Sequence, residues 1–392
     1  MPVQFGIDVL LASSEIDWKE KRIGMITNDA ATTNTQLSSR LALQQHGFQL
    51  KKLFSPEHGI LATGADGAPM LNGIDELTDL PVVSLYGEKL APTFEDLDNI
   101  DLLILDVPDV GVRFYTYLWT MSYLLEISAS TKTPLIILDR PNPISGNLLL
   151  TEGPWSDANT HSFLGRWPMP IRHCCTLGEL ALYFNDTRAI YAPIEIIQCQ
   201  GWQRTMFQGD WGTPFVPTSP AIQTPESLLL YPGLCFLEAT NLSEGRSTDL
   251  SFEVVGAPWL KHNQVAQQIN LFMDMELEAR AIHFIPSQNK YAGEQCKGIH
   301  FTVKAPEHFK PVFFGLLLIR LIRDLHPSEF KWAPYKTFVN PTGMQHLDKL
   351  LGIASAETLF ELPMHQFIQQ CTQITNTPLW HKNIQDYLLY LD

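Results

Sequence analysis

Two glutamates have the residue type and the setting to break a glycosidic bond. Glu57 stands in Ser55-Pro56-Glu57-His58-Gly59, and Glu244 in Glu238-Ala239-Thr240-Asn241-Leu242-Ser243-Glu244-Gly245-Arg246. Each follows an apolar, strand-like run and sits among Gly, Asn, Arg or His. Cleaving an acetal needs one carboxyl to protonate the leaving oxygen and a second carboxylate as base, nucleophile or charge stabiliser. The acid must hold its proton near neutral pH, which burial favours. Glu57 is a candidate for that acid; its plainer alternative is a loop carboxylate capping the next turn. His58 either holds substrate or bonds the backbone. Glu244 is the candidate second carboxylate, with Arg246 either a ligand cation or a structural ion-pair partner.

Further polar groups have the chemistry of a sugar site. The run Asp106-Val107-Pro108-Asp109-Val110-Gly111-Val112-Arg113-Phe114-Tyr115-Thr116-Tyr117 combines acids, an arginine and aromatic rings. Acids accept sugar hydroxyls, aromatic faces stack on the ring, and a guanidinium grips a carboxylate. In Asp139-Arg140-Pro141-Asn142-Pro143 the prolines bias Arg140 and Asn142 to extended backbone. Asn28 and Asn241 complete the set. The expected substrate-binding residues are Asn28, His58, Asp109, Arg113, Tyr115, Asp139, Arg140, Asn142, Asn241 and Arg246.

These residues are spaced by elements that would position them. Strands are expected at 22–27, 49–54, 81–85, 101–105, 134–138 and 194–198, with helices at 36–46, 117–130 and 177–185. Apolar strands alternating with helices specify a parallel, doubly wound sheet. In such sheets the carboxyl ends of the strands form the binding crevice, and Asn28, Glu57, Glu88, Asp106 and Asp139 all follow strands. Trp202 to Pro232 reads as a long ordered connection near the site, and Tyr231-Pro232-Gly233 and Tyr291-Ala292-Gly293 as turns. The remainder is mixed, with a strand at 299–304, a helix at 312–325 and a mostly helical tail from 354. The fold class is therefore α/β: a Rossmann-like, doubly wound, mostly parallel sheet at 1–226 and a smaller α+β domain at 227–392.

Composition narrows the function classes. The chain has 392 residues, 45% hydrophobic, and a net charge of −15. Without a basic tract, nucleic acid is not an expected partner. No apolar stretch reaches the length of a membrane span; the most apolar, Pro311 to Ile322, is closed by Arg320 and Arg323 and reads as a core helix. The apolar run Phe5 to Leu11 is too short for a secretion signal, carries Asp8 and lacks a basic flank. The chain as it stands reads as cytoplasmic, or as periplasmic or secreted if a leader has been removed. Cys174, Cys175, Cys199, Cys235, Cys296 and Cys371 show no metal spacing and read as buried thiols. Gly64-Ala65-Asp66-Gly67 lacks the Lys-Ser/Thr of a phosphate loop, and neither GxGxxG nor GxSxG is present. Neither a cofactor nor a metal is expected.

Across these motifs the chain resembles the exo-β-N-acetylmuramidase family (NamZ-like, formerly YbbC-like). The matching runs include Gly6-Ile7-Asp8-Val9-Leu10, Leu53-Phe54-Ser55-Pro56-Glu57-His58-Gly59, Ser84-Leu85-Tyr86-Gly87, Asp109 to Tyr117, Asp139 to Pro143, Gly178-Glu179-Leu180-Ala181 and Thr240 to Arg246. Likeness continues through Tyr387-Leu388-Leu389-Tyr390, so it covers essentially the whole chain. The resemblance implies a cleft between two domains and metal-free hydrolysis of terminal β-1,4-linked N-acetylmuramic acid from peptidoglycan fragments. It also implies catalytic roles for Glu57 and Glu244. Alternatives are a non-catalytic muropeptide- or sugar-binding protein and a hydrolase of another acidic sugar. The chain departs from the family pattern at Pro108, where Gln is usual, and at Ala239 and Ser247, where Gly is usual. It departs again at Cys174-Cys175, in place of Gly-Met, and at Thr218-Ser219-Pro220-Ala221, in place of Pro-Ser-Pro-Asn. Muramic acid carries a lactyl carboxylate, for which Arg113, Arg140, Arg172 and Arg246 are the candidate cations.

Overall fold

Short runs of Ile, Leu and Met form the middle of a seven-stranded sheet. A computed structural model of the chain describes residues 2–14 and 16–391; the outer ends of the two expected domains, residues 1 and 392, lie outside the described residues. The strands are β1 (Ile23–Ile26), β2 (Leu50–Ser55), β3 (Gly73–Ile74), β4 (Pro81–Ser84), β5 (Leu102–Leu105), β6 (Leu135–Leu138) and β7 (Ile194–Ile197). Every residue of β1, β5 and β6 is buried, as both-face coverage of a parallel sheet requires. The order is β3-β4-β2-β1-β5-β6-β7. All neighbours are parallel except the short β3, which runs antiparallel to β4. Strand order reverses between β1 and β5, which is where a doubly wound sheet opens a crevice.

Four helices belong to this sheet: α1 (Gly6–Ala12), α2 (Ser39–Gln45), α3 (Tyr117–Thr131) and α4 (Leu177–Thr187). Thr176 and Glu179 close α4 with a reciprocal capping box. The second half holds α5 (Pro225–Leu234), β8 (Val254–Ala257), α6 (His262–Met273), β9 (Leu277–Phe284), β10 (Cys296–Val303) and α7 (Pro311–Leu325), followed by α8 (His346–Leu351), α9 (Met364–Thr375) and α10 (Pro378–Ile384). Its strands form an antiparallel sheet in the order β8-β10-β9. The architecture is the expected α/β sheet with a smaller second sheet. No helix among the described residues is long and apolar enough to cross a membrane.

Two local expectations are overturned, the first being the strand before Glu244: that apolar run is the end of α5 followed by a 3-10 turn at Cys235–Ala239. Second, Tyr231-Pro232-Gly233 is the end of α5, not a turn. Thr224 caps that helix, with Pro225 at its first turn, where a missing N–H costs nothing. Gly233 is there for contact: a Cβ on it would lie 2.0 Å from the Pro311 carbonyl oxygen of α7. The two helices cross glycine to glycine, since Gly315 is as tightly opposed to Gly233.

The halves share one apolar core. Phe114 packs edge-on against Tyr231 and Phe236, and Tyr231 against Phe252. The cysteines are buried and unpaired.

Candidate active site

The chain leaves β2 through Ser55 and turns sharply, with His58 (φ 68°) and Gly59 (φ 73°) both left-handed. A non-glycine residue held there is uncommon and marks a constrained turn. This turn places Glu57 at the wall of a cavity that is also lined by His58, Asp66, Tyr86, Phe114, Tyr115 and Thr116 from the first half. The second half supplies Tyr231, Glu238, Arg246, Phe252, Tyr335, Thr337, Val339 and His346. The cavity is therefore built between the two halves. Its volume is only about 40 Å³, room for roughly three waters at ~10–15 Å³ each. A pyranose ring enters only if a wall moves, and the segment carrying Tyr335, Thr337 and Val339 is one of several irregular stretches that make up that wall.

Glu57 is 6% exposed. The Gly67 N–H donates to its Oε1 (3.0 Å) and the Thr116 hydroxyl to its Oε2 (2.6 Å). Burial pushes its proton affinity up. The nearby Asp66 carboxylate adds to that rise, while His58, Thr116 and Gly67 offset part of it. Tyr86 hydrogen-bonds Glu57 as well, and burial raises that phenol's pKa. No Arg or Lys forms an ion pair with Glu57 among the described residues, so desolvation dominates.

Asp66, nine residues further along the same loop, escaped the sequence reading. It is exposed, whereas Glu57 and His58 are buried. A carboxylate oxygen of Asp66, one of Glu57 and a ring nitrogen of His58 lie within 4.8 Å of one another. Asp66 accepts from the Tyr335 hydroxyl (2.5 Å), and its Oδ1 lies 3.4 Å from Arg246. Glu57, His58 and Asp66 are the one trio of possible metal ligands so grouped among the described residues. Both Glu57 oxygens already accept protein hydrogen bonds, and the His58 Nδ1 faces the Gly64 carbonyl oxygen (2.9 Å).

Glu244 lies elsewhere. It is 2% exposed and is not among the residues lining the cavity. Its Oε1 lies 3.3 Å from Arg246 Nε and its Oε2 accepts from Lys290 (3.0 Å). The acid of that loop that does line the cavity is Glu238. Glu238 meets Arg246 at 2.5 Å and His346 at 2.9 Å. Burial alone would raise Glu238, but the Arg246 and His346 charges outweigh it and bring its pKa to about 2.

The other expected binding residues divide. His58, Tyr115 and Arg246 line the Glu57 cavity. Asp109 and Arg140 line a separate cavity at the β1–β5 reversal, with Pro108, Trp211 and Thr218. There Arg140 is bound to Asp106 (2.5 Å), and the Asp109 Oδ2 accepts from the Gly111 N–H. Asn28 donates to the Tyr117 hydroxyl (2.8 Å) and accepts from the Ala30 N–H. Asp139 accepts from Thr176, the Gly178 N–H and Tyr390 at the start of α4, and burial raises its pKa to about 6. Asn142 donates to the Cys175 carbonyl, and Asn241 fastens the chain at Glu329 and Lys331. Arg113 is fully buried and donates to the Pro154, Met169 and Leu350 carbonyls, joining the halves. Arg172 likewise binds the Phe309 and Ile144 carbonyls. Of the four candidate arginines, Arg246 alone lines the Glu57 cavity.

Comparison with known proteins gives a consistent result. The family described as "Exo-beta-N-acetylmuramidase NamZ, N-terminal" matches residues 23–226, and "Exo-beta-N-acetylmuramidase NamZ, C-terminal" matches residues 229–390. The chain is 39% identical over 361 residues to the peptidoglycan beta-N-acetylmuramidase NamZ of Bacillus subtilis, covering 92% of this chain and 84% of that protein. Two crystal structures of DUF1343 family proteins from Bacteroides fragilis share the fold. One has TM-score 0.87 and 26% identity, covering 100% of this chain and 99% of that one. The other has TM-score 0.74 and 24% identity, covering 100% of both chains.

Proposed function

Because the chain belongs to the exo-β-N-acetylmuramidase NamZ family, we propose that it is a glycosidase. It releases terminal β-1,4-linked N-acetylmuramic acid from peptidoglycan fragments, and Glu57 is the proton donor. The observation that carries the residue assignment is the setting of Glu57. It is a carboxyl buried without a paired cation, held by Thr116 and the Gly67 N–H on the wall of an aromatic cavity. Such a site keeps the proton that a leaving alkoxide needs. Tyr115, Tyr231 and Phe252 offer the rings that a sugar packs against.

The test is cleavage of a chromogenic β-N-acetylmuramide and of a muramyl-terminated disaccharide. Glu57→Gln should lower kcat by about 10²–10⁴-fold while the protein stays folded by circular dichroism. Full activity in that variant would end the acid assignment. Tight binding without turnover by the unaltered protein would favour a sugar-binding role.

One observation favours a second reading. Arg246 already faces Asp66, Glu238 and Glu244, so a lactyl carboxylate would compete with three protein acids for it. A site that prefers the sugar without the lactyl group is the alternative. A higher kcat/KM on the matching N-acetylglucosaminide would select it.

A further inference from the structure

We propose that Asp66, rather than Glu244, is the second carboxylate of the reaction and acts as the nucleophile. The inference rests on the glycosidase reading above. Three observations lead to it. Asp66 lines the same cavity as Glu57 and is itself solvent-exposed, so an incoming substrate can reach it. A pair of Glu57 and Asp66 carboxyl oxygens lies within 4.8 Å. Retaining glycosidases set their two carboxyls about 5–5.5 Å apart, whereas inverting ones leave about 6.5–9.5 Å for a water. Glu244, by contrast, is outside the cavity, with Arg246 and Lys290 at its two oxygens.

The surroundings suit opposite roles. Glu57 accepts from neutral donors, the Thr116 hydroxyl, the Gly67 N–H and the Tyr86 phenol. Asp66 is held from the other half of the chain by the Tyr335 hydroxyl and faces the Arg246 guanidinium. Asp66 thus has a cation and a hydroxyl at its oxygens, whereas Glu57 has no Arg or Lys partner. Tyr335 at one Asp66 oxygen and Arg246 at the other also orient that carboxylate.

The steps balance. An Asp66 oxygen attacks the anomeric carbon, the bond to the leaving oxygen breaks, and that oxygen takes its electron pair and the Glu57 proton. A glycosyl ester of Asp66 results. Water then attacks the anomeric carbon and gives a proton to the Glu57 carboxylate. The ester bond breaks and returns Asp66 as a carboxylate.

The experiment uses the full chain and an aryl β-N-acetylmuramide with a good leaving group, or the β-N-acetylglucosaminide if that is the better substrate. For the unaltered protein, proton NMR during turnover should show the β-anomer first. Asp66→Gly should lose on the order of 10³-fold in kcat and recover at least tenfold with sodium azide, giving the α-glycosyl azide. Asp66→Asn, which keeps the side-chain volume, should be equally slow, with its melting temperature reporting that it is folded. An α-anomer as first product would overturn the proposal. So would an Asp66→Gly variant that azide does not rescue, or activity lost to a chelator and restored by a divalent cation. Failure of the unaltered protein to cleave either substrate would instead strike the glycosidase reading itself.

Discussion

The loop after β2 and the loop after α5 both bury glutamates, yet they treat them in opposite ways. Glu57 is surrounded by a hydroxyl, a phenol and a backbone N–H, and burial raises its pKa. Glu238 is buried as deeply, but Arg246 and His346 hold it as a carboxylate with a pKa of about 2. Glu244, six residues on, is tied to Lys290 and Arg246. Residue type and burial are the same in both loops. The presence of a cation decides whether the group is a reservoir for a proton or a piece of an ionic scaffold.

The comparison is broken most severely at Arg246. Arg246→Met leaves three carboxylates around an apolar side chain, and uncompensated buried charge typically costs about 3–5 kcal/mol. Urea unfolding should show that loss, together with a loss of activity; unchanged stability would mean the acids are solvated. Next, Glu244→Gln should cost about 1 kcal/mol, since Lys290 keeps the Leu237 and Leu242 carbonyls, and lower kcat less than tenfold (about 1.4 kcal/mol). A fall in kcat as large as that of Glu57→Gln would make Glu244 the catalytic partner after all.

The two loops should also respond to pH with opposite signs. Glu238 has a folded pKa below its unfolded value of about 4.3, so its stabilisation is full above that value and fades as pH falls toward about 2. Glu57 has a folded pKa above its unfolded value, so charging it opposes folding as pH rises. Melting temperatures should therefore show Glu238→Gln destabilised at pH 7 and less so at pH 3. Glu57→Gln should gain relative to the unaltered protein from pH 5 to pH 8. A flat Glu57→Gln difference would mean that Glu57 is ordinary. The smallest expected effect is Tyr335→Phe, which removes one hydrogen bond to Asp66 and should cost kcat roughly tenfold, the equivalent of about 1.5 kcal/mol, with little change in stability.

Much of the sheet was legible because burial on both faces leaves no alternative to runs such as LLIL and LIIL. Helix α5 was not, because Pro232-Gly233 has the composition of a turn; only the close crossing with α7 explains glycine there. Glu57 was legible as the polar residue after a buried strand. The same rule selected Asp139, Arg140 and Asn142, whose side chains are occupied in capping α4, pairing with Asp106 and bonding Cys175. Strand-end position locates a residue on the rim but does not say whether it faces solvent or the fold. Asp66 went unnoticed because its glycine-rich loop was weighed only as a phosphate loop. Tyr335 and His346 come from a distant segment, and no local pattern could bring them to Glu57. The departure at Thr218 to Ala221 does touch the site, since Ser219 and Ala221 line its wall.

Gly67 connects two of these features through one residue. Its N–H donates to Glu57, and its carbonyl accepts from the Phe338 N–H of the facing wall at 2.8 Å. It also meets that wall closely, since a Cβ there would lie 2.7 Å from Thr337. Because burial is what raises the proton affinity of Glu57, any opening of this wall that wetted the carboxyl would lower it. Reciprocity then fixes the converse: a proton on Glu57 favours the closed wall by the same free energy. The contacts of Gly67 with Thr337 and Phe338 and the proton on Glu57 thus favour one another.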